Sequence, residues 1–490
     1  MLLNQLLQPL TFYQVTKSID GLNINQIEMD SRRVRQGDLF VCVRGTAVDG
    51  HDFADEAIQR GACAIVAERP LPVDVPVIIV PDTRKALSII SNHFYGYPTK
   101  EFRLIGVTGT NGKTTMTYLL EEVFREHGEE TGVIGTIQMK IKDKTYPVIN
   151  TTPDTLFLQK HFRQMAGEGV TTAIMEVSSH ALDQGRVYGC DFDIAIFTNL
   201  TQDHLDYHKN MDDYLRAKTL LFSQMGNVYS ERPRFGIVNI DDPYSEFFLK
   251  STPFETLTYG IDHDADIQAT DIKLNPDGTS FTMKTPVGTV SIESSMAGKF
   301  SVYNLLGAAG GALCAGIPLE TIQKAFQKTK GVPGRFETVY GGQNFGVIVD
   351  YAHTPDSLKN VLETARSFVK GKLRVVVGCG GDRDRDKRPK MAQVAVSYSD
   401  EAIFTSDNPR TEDPGRIIED MKKGVEKGSY QVEMDRRKAI QLAVEQAEAG
   451  DMILIAGKGH ETYQEINGKR YDFDDRKVAL EMIEMKLKGR

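Results

Sequence analysis

Gly106-Val107-Thr108-Gly109-Thr110-Asn111-Gly112-Lys113-Thr114-Thr115 decides how the rest of this chain is read. The run follows an apolar strand, Leu104 to Val107, and precedes a helical pattern from Met116 to His127. That is the strand–loop–helix setting of a phosphate-binding loop. Backbone N–H groups from Gly109 through Thr115 can converge on phosphate oxygens, and the helix N-terminus adds its positive dipole end. Lys113 supplies a point charge for the outer phosphates, and Thr114 supplies a hydroxyl for Mg²⁺. The general G-x-x-x-x-G-K-[ST] form wants Gly at 107, where this chain has Val. A chance glycine turn ahead of a helix is the alternative, and Gly-Lys-Thr in this setting argues against it. The motif implies a nucleotide and is silent on the reaction.

Two later strand ends belong with this loop. Glu176 closes the apolar run Ile174-Met175-Glu176, and His204 follows Phe197-Thr198-Asn199 in the stretch to Asp206. A triphosphate needs Mg²⁺, which prefers oxygen ligands. Glu176 suits that role and His204 is a less usual ligand. Either can equally be a satisfied buried polar group. Asn304 opens an apolar helix, where it either bonds a base edge or caps that helix, the cap being the plainer reading. No N-K-x-D motif is present, which argues against a GTPase switch.

Outward from the loop, the chain has three textures. Up to about Pro98 short strands and helices alternate: Asp38–Val43, a helical segment Asp52–Arg60, then Ala64–Ala67 and Val75–Val80. Tyr97-Pro98-Thr99-Lys100 is expected as a linker. The middle region holds unalternating apolar strands, Thr172–Val177 and Asp193–Thr198, as in a parallel sheet covered on both faces. It also holds a β-rich insert, about Phe254 to Ile292. From Gly334 onward, strands at Val347–Val349, Val375–Val377, Ile403–Phe404 and Ile453–Ile455 each stop in a polar cluster. Ligands of open α/β sheets sit beyond the carboxyl ends of strands, so one crevice is expected there.

Composition narrows the class. A 490-residue chain suits roughly three domains. With 40% hydrophobic and 26% charged residues it is neither disordered nor fibrous. No run is apolar enough for a membrane span, and the most apolar stretch, Leu305–Leu319, reads as a buried helix diluted by Gly and Ala. No signal peptide is visible. Five scattered cysteines without C-x-x-C spacing read as free thiols in a reducing compartment, so a cytoplasmic location is expected. A net charge of −9 is unlike a nucleic-acid binder.

Several motifs recur together and in order. They are Thr108 to Thr114, Asn150-Thr151-Thr152-Pro153, Glu176 to His180, Asn199 to Asp206, Gly334-Arg335-Phe336-Glu337, Asp350 to Pro355, and Gly457-Lys458-Gly459-His460-Glu461. With its off-register glycine, this set resembles the Mur ligase family, which is related to the folylpolyglutamate synthases. The resemblance covers nearly the whole chain.

It implies an α/β fold of three domains: a small N-terminal UDP-binding α/β domain at 1–98, a central P-loop parallel-sheet ATPase domain at 99–333, and a C-terminal Rossmann-like domain at 334–490. It implies an ATP-dependent ligase of peptidoglycan precursor synthesis, using ATP and Mg²⁺. The acid would be the D-glutamyl γ-carboxylate of UDP-N-acetylmuramoyl-L-alanyl-D-glutamate. In the family, Asp407-Asn408-Pro409-Arg410 marks enzymes that add meso-2,6-diaminopimelate rather than L-lysine. Arg410 offers a planar fork for the second carboxylate of diaminopimelate, whereas a lysine substrate ends in an ammonium. A structural ion pair at a helix start is the alternative for Arg410.

Further roles come from the resemblance alone. Ser31 would hold the uridine diphosphate. Asn150, Thr151, Thr152, Ser178, Gln184 and Arg186 would line the muramoyl-dipeptide path. Arg383, Gly457 and Glu461 would complete the amino-acid site. Arg335 and Asp350 would meet ATP at phosphate and ribose. Lys218 stands where the family carries a carbamylated lysine, a metal ligand beside Thr114, Glu176 and His204. Without the family it reads as an exposed helix lysine. A monomer acting on small molecules, with no nucleic acid and no membrane span, is expected. The rivals are the same ligase adding L-lysine, a folylpolyglutamate synthase, and a non-catalytic ATP-sensing scaffold.

Overall fold

The computed structural model describes residues 1–45, 48–148, 150–227, 232–275, 278–425 and 428–489. It is a mixed α/β chain that divides into two compact units. The first comprises Met1–Gly106, Glu129–Asp193 and Ser230–Arg234, and the second Val107–Gly128, Ile194–Tyr229 and Phe235–Arg490.

In the first unit a five-stranded sheet runs in the order Gln14–Val15, Val77–Ile79, Ala62–Ala67, Asp38–Val41, Ile27–Glu28. Every pairing but the first is parallel. Its two faces bury separate apolar clusters, one around Leu39, Val41 and Ile78, the other around Phe40, Ile65 and Val77. Such side chains contribute about 1.5–3 kcal/mol each when fully buried. The same unit pairs Thr131–Ile134 with Thr172–Glu176 in parallel. All five residues of Thr172–Glu176 are buried, which is why the run shows no alternation. The 97–100 stretch, expected as a linker, has local helical structure. Pro98–Lys100 form a one-turn 3-10 helix with Pro98 and Thr99 buried.

The second unit starts inside the strand Arg103–Thr108 and carries the phosphate loop into the helix Lys113–Glu126. That helix begins three residues ahead of the expected Met116. Strands Ile194–Phe197, Phe235–Asn239 and Glu255–Gly260 are mutually parallel. The β-rich insert ends in the antiparallel meander Ile267–Asn275, Gly278–Thr285, Gly288–Ser294. The apolar helix spans Lys299–Cys314, earlier than its hydropathy suggested. Its glycines have a packing reason: a Cβ on Gly310 would approach Ile237 Cγ2 to 2.8 Å, so the helix lies directly on the strands. The C-terminal sheet runs Glu337–Thr338, Gly346–Asp350, Met452–Ala456, Leu373–Val377, Glu401–Phe404, Tyr430–Val432. Only the first pairing is antiparallel. Among the described residues no helix is long and apolar enough to cross a membrane.

Candidate active site

The phosphate loop is shaped by what surrounds it in the second unit. Thr110 N–H donates to the Asn199 carbonyl (2.8 Å), and Asn111 N–H to Asn199 Oδ1 (2.9 Å). Gly112 ends the loop with φ +87°, and a Cβ there would stand 2.5 Å from Asn304 Oδ1. Only glycine meets both conditions. Asn304 therefore corrects its plainer reading: it lies inside the helix, whose N-cap is Gly298, and abuts the loop. Lys113 Nζ donates back to Gly109 O (2.9 Å) and Thr110 O (2.8 Å). Arg335 Nη2 reaches the Thr114 hydroxyl at 3.4 Å. Its guanidinium carbon lies 4.7 Å from the Tyr351 ring centre, and its Nε is buried without a hydrogen-bond partner among the described residues.

Lys218 overturns the default of an exposed helix lysine. It is 1% exposed on the inner face of the helix Met211–Ser223, and its Nζ donates to Gly109 O at 2.7 Å. Burial first, then the charge of Lys113, push its pKa well below the usual lysine range; Asp203 pulls weakly the other way. His204 adopts φ +57° and sits 3.5 Å from Asp203. Buried Asp203 also faces His353 (3.7 Å) and Lys387 (3.5 Å) from the C-terminal region. Burial alone would raise its carboxyl, but His204, His353 and Lys387 hold it well below the carboxylate range. Sequence reading missed Asp203, because its partners lie far along the chain.

A cavity of about 320 Å³ opens beside the loop. Asn111, Gly112 and Thr115 form one wall, Tyr303 and Asn304 another, Arg335 and Asp350 a third. Asp350 is buried, and its two oxygens accept Phe336 N–H and Ala352 N–H, each at 2.7 Å. Asp356, also missed in the sequence, accepts Asn111 Nδ2 at 3.1 Å and lines the same cavity. Among the described residues no three His, Cys, Asp or Glu side chains gather as a metal cage. Mg²⁺ on a nucleotide keeps phosphate and water oxygens as most of its ligands, so a single hydroxyl such as that of Thr114 suits it.

The polar clusters of the C-terminal sheet meet. Gly457 N–H donates to Asp350 O (3.0 Å). Asn408 Nδ2 donates to Glu461 Oε2 (2.8 Å), and fully buried Lys458 donates to both Asn408 Oδ1 and Glu461 Oε2 (3.0 Å each). Asp407 Oδ2 is buried without a hydrogen-bond partner among the described residues and lies 3.9 Å from Arg436 Nη1. Pro409 is buried, with its backbone carbonyl against Gly381. Arg410 has φ +52° and donates from Nη1 to Gly381 O (2.7 Å). It precedes the helix Pro414–Lys422 and bonds a carbonyl, so the helix-start ion pair does not describe it. Arg383 is exposed, but its stem and Arg410 Nη1 both flank Gly380.

The remaining expected residues lie in the first unit. Glu176 is 1% exposed, and its carboxylate accepts Thr136 N–H (2.7 Å) and the Thr136 hydroxyl (3.0 Å). The Thr136 and Thr151 hydroxyls are 3.0 Å apart. Thr152 Oγ1 donates to Glu176 O (2.9 Å) and accepts Ser178 N–H (3.0 Å). Arg186 donates to Thr152 O (3.0 Å) and to Gln184 Oε1 (2.7 Å). Asn150 is exposed one residue earlier. Ser31 is buried apart from these, its hydroxyl on Glu56 Oε2 at 2.9 Å.

Three family profiles match the chain in order: "Mur ligase family, catalytic domain" over 23–95, "Mur ligase middle domain" over 107–312, and "Mur ligase, glutamate ligase domain" over 334–459. A Bacillus velezensis protein named UDP-N-acetylmuramoyl-L-alanyl-D-glutamate–2,6-diaminopimelate ligase is 56% identical over 480 residues, 98% of each chain. A Geobacillus thermodenitrificans protein of the same name is 57% identical over 460 residues, 93% of this chain and 94% of the relative. A solved structure titled as a ligase of that name superposes with TM-score 0.70 at 36% identity, over 99% of both chains.

Proposed function

The chain belongs to the Mur ligase family, and on that premise we propose that it joins meso-2,6-diaminopimelate to the D-glutamyl γ-carboxylate of UDP-N-acetylmuramoyl-L-alanyl-D-glutamate with hydrolysis of ATP to ADP and phosphate. The observation that carries this reading lies within one unit. A phosphate loop with Lys113, Lys218 and Arg335 about it shares that unit with an acceptor loop ending in Arg410.

The chemistry answers a simple difficulty: a carboxylate is a poor acyl donor. The γ-carboxylate attacks the γ-phosphorus of ATP and gives an acyl phosphate and ADP. The amine of diaminopimelate attacks the carbonyl, loses a proton, and phosphate leaves. Lys113 and Arg335 stabilise charge on the transferring phosphoryl group. Mg²⁺, when bound, neutralises charge on the phosphates; Thr114, Glu176, His204 and a carbamylated Lys218 are the proposed ligands. The burial of Lys218 and the nearby charge of Lys113, which lower its pKa well below the usual lysine range, support the last assignment, because only an unprotonated amine adds CO₂. Gly109 to Thr115, Asn304 and Asp350 are assigned to ATP. Ser31, Asn150, Thr151, Thr152, Ser178, Gln184 and Arg186 are assigned to the UDP-linked dipeptide. Arg383, Asp407 to Arg410, Gly457 and Glu461 are assigned to the amino acid. The division at 1–98, 99–333 and 334–490 is our reading of the domains. We assign the enzyme to the cytoplasm as a monomer.

Purified protein with Mg²⁺, ATP, the UDP-linked dipeptide and a panel of amino acids should release ADP with diaminopimelate and yield the UDP-linked tripeptide. A folate in place of the dipeptide should give no turnover, and L-lysine little. Absence of any new amide with the full set of substrates would sink the proposal.

A further inference from the structure

The hairpin Tyr463–Ile466 and Lys469–Asp472 has no part in the chemistry above, yet it is bonded to the acceptor loop at four points. Gln464 Nε2 donates to the Asp407 carbonyl (2.7 Å), and Glu465 N–H donates to Asn408 Oδ1 (2.9 Å). Arg410 N–H donates to Glu465 O (3.0 Å), and Asn467 N–H to Arg410 O (2.6 Å). Arg410 and Ile466 thereby form an isolated parallel bridge. Two residues at this seam, Arg410 (φ +52°) and Asn467 (φ +50°), hold left-handed backbone. Asn467 takes it as the first residue of the two-residue Asn467-Gly468 hairpin turn, which requires it, whereas Arg410 is a residue type that rarely holds it unless neighbours enforce it.

The direction of the Arg410 fork follows from this backbone. Its Nη1 rests on Gly381 O, beneath Gly380, where a Cβ would approach it to 2.9 Å. Tyr463 adds a second tie. Its ring lies 4.2 Å from the Arg470 guanidinium carbon and 5.5 Å from Lys458 Nζ, and Lys458 in turn holds Asn408 and Glu461.

We propose that the hairpin Tyr463–Asp472 is the specificity frame of the acceptor site, with Gln464 its positioning residue. It selects an amino acid bearing a second carboxylate without touching it, by holding Arg410 in the backbone conformation that presents its fork. This rests on the acceptor-loop assignment made above.

The test is steady-state kinetics of the full chain, with diaminopimelate and L-lysine as alternative acceptors. Loss of one hydrogen bond of ordinary net strength in Gln464→Ala should raise KM for diaminopimelate by about fivefold to tenfold. KM for ATP and for the UDP-linked dipeptide should stay unchanged, and the preference for diaminopimelate over lysine in kcat/KM should fall. A merely structural role would not shift that preference. Asn467→Gly keeps both the backbone conformation and the N–H, and should keep the preference; Asn467→Pro loses both and should show the larger fall. Gln464→Ala with wild-type KM and wild-type preference overturns the inference, whatever happens to Asn467→Pro. Wild-type protein unable to ligate diaminopimelate would instead remove the functional reading beneath it.

Discussion

Lys113 and Lys218 converge on one oxygen: the Nζ atoms of both donate to the Gly109 carbonyl, at 2.9 and 2.7 Å. One carbonyl serves two ammonium groups poorly, and burial with the adjacent charge of Lys113 pushes the Lys218 pKa well below the usual lysine range. The phosphate loop is thus backed by a buried lysine that its surroundings push toward the unprotonated form.

Lys218→Met should abolish turnover, by at least about a hundredfold, because a group beside the transferring phosphoryl is lost. The same change should raise thermal stability by about 1 kcal/mol, since an apolar side chain of similar length replaces a buried amine. Isotope-labelled bicarbonate should give a carbamate resonance in wild-type protein and none in the variant. A fully active Lys218→Met protein would remove Lys218 from the site.

Gly112→Ala tests the shape of the phosphate loop. Its Cβ would meet Asn304 Oδ1 at 2.5 Å in a backbone with φ +87°. The expected cost is about 1–3 kcal/mol of stability, together with loss of ATP binding in titration calorimetry. Asn304→Ala in the same chain should relieve the contact but not the backbone strain, so only part of the stability returns.

Arg410→Ala should weaken diaminopimelate use by about 2 to 4 kcal/mol in kcat/KM, because a charge-assisted pair with the second carboxylate is removed. Arg410→Lys should recover only part of it, since an ammonium cannot offer the planar fork. Unchanged diaminopimelate kinetics in Arg410→Ala would take the residue out of its assigned role.

Asp241 carries a pH dependence. Burial would raise its carboxyl, but Asp262 N–H and Ile261 N–H, then His263 and the Tyr303 hydroxyl, outweigh it and hold the pKa at about 2, against 3.8 for an ordinary aspartate. A carboxyl whose folded pKa is depressed stabilises the fold above its unfolded pKa. That contribution is complete above pH 3.8 and is lost as pH falls toward 2. After solvent screening it is on the order of 1 kcal/mol. Acid unfolding of Asp241→Asn, followed by circular dichroism, should be shallower in that window, and an identical profile would contradict the assignment.

The sequence by itself determined the phosphate loop, the buried parallel strands and the strand-end polar clusters. Each is written in local order: glycines and Lys113 at fixed offsets, and apolar runs such as Val375 to Val377 too continuous for a half-exposed strand. Strand ends beside the loop singled out Glu176 and His204, and the family resemblance pointed to Lys218, Arg335 and Arg410. Tertiary structure decided the rest, because burial and partnership depend on residues far apart in the chain. Lys218 reads as a surface lysine until its helix face is packed. Asn304 reads as a helix cap until Gly112 is brought against it. Asp203 has no evident role until His353 and Lys387 arrive from more than a hundred residues away. Local sequence encodes which groups are available; only packing sets the dielectric, the neighbouring charges and the backbone strain that fix what each can do.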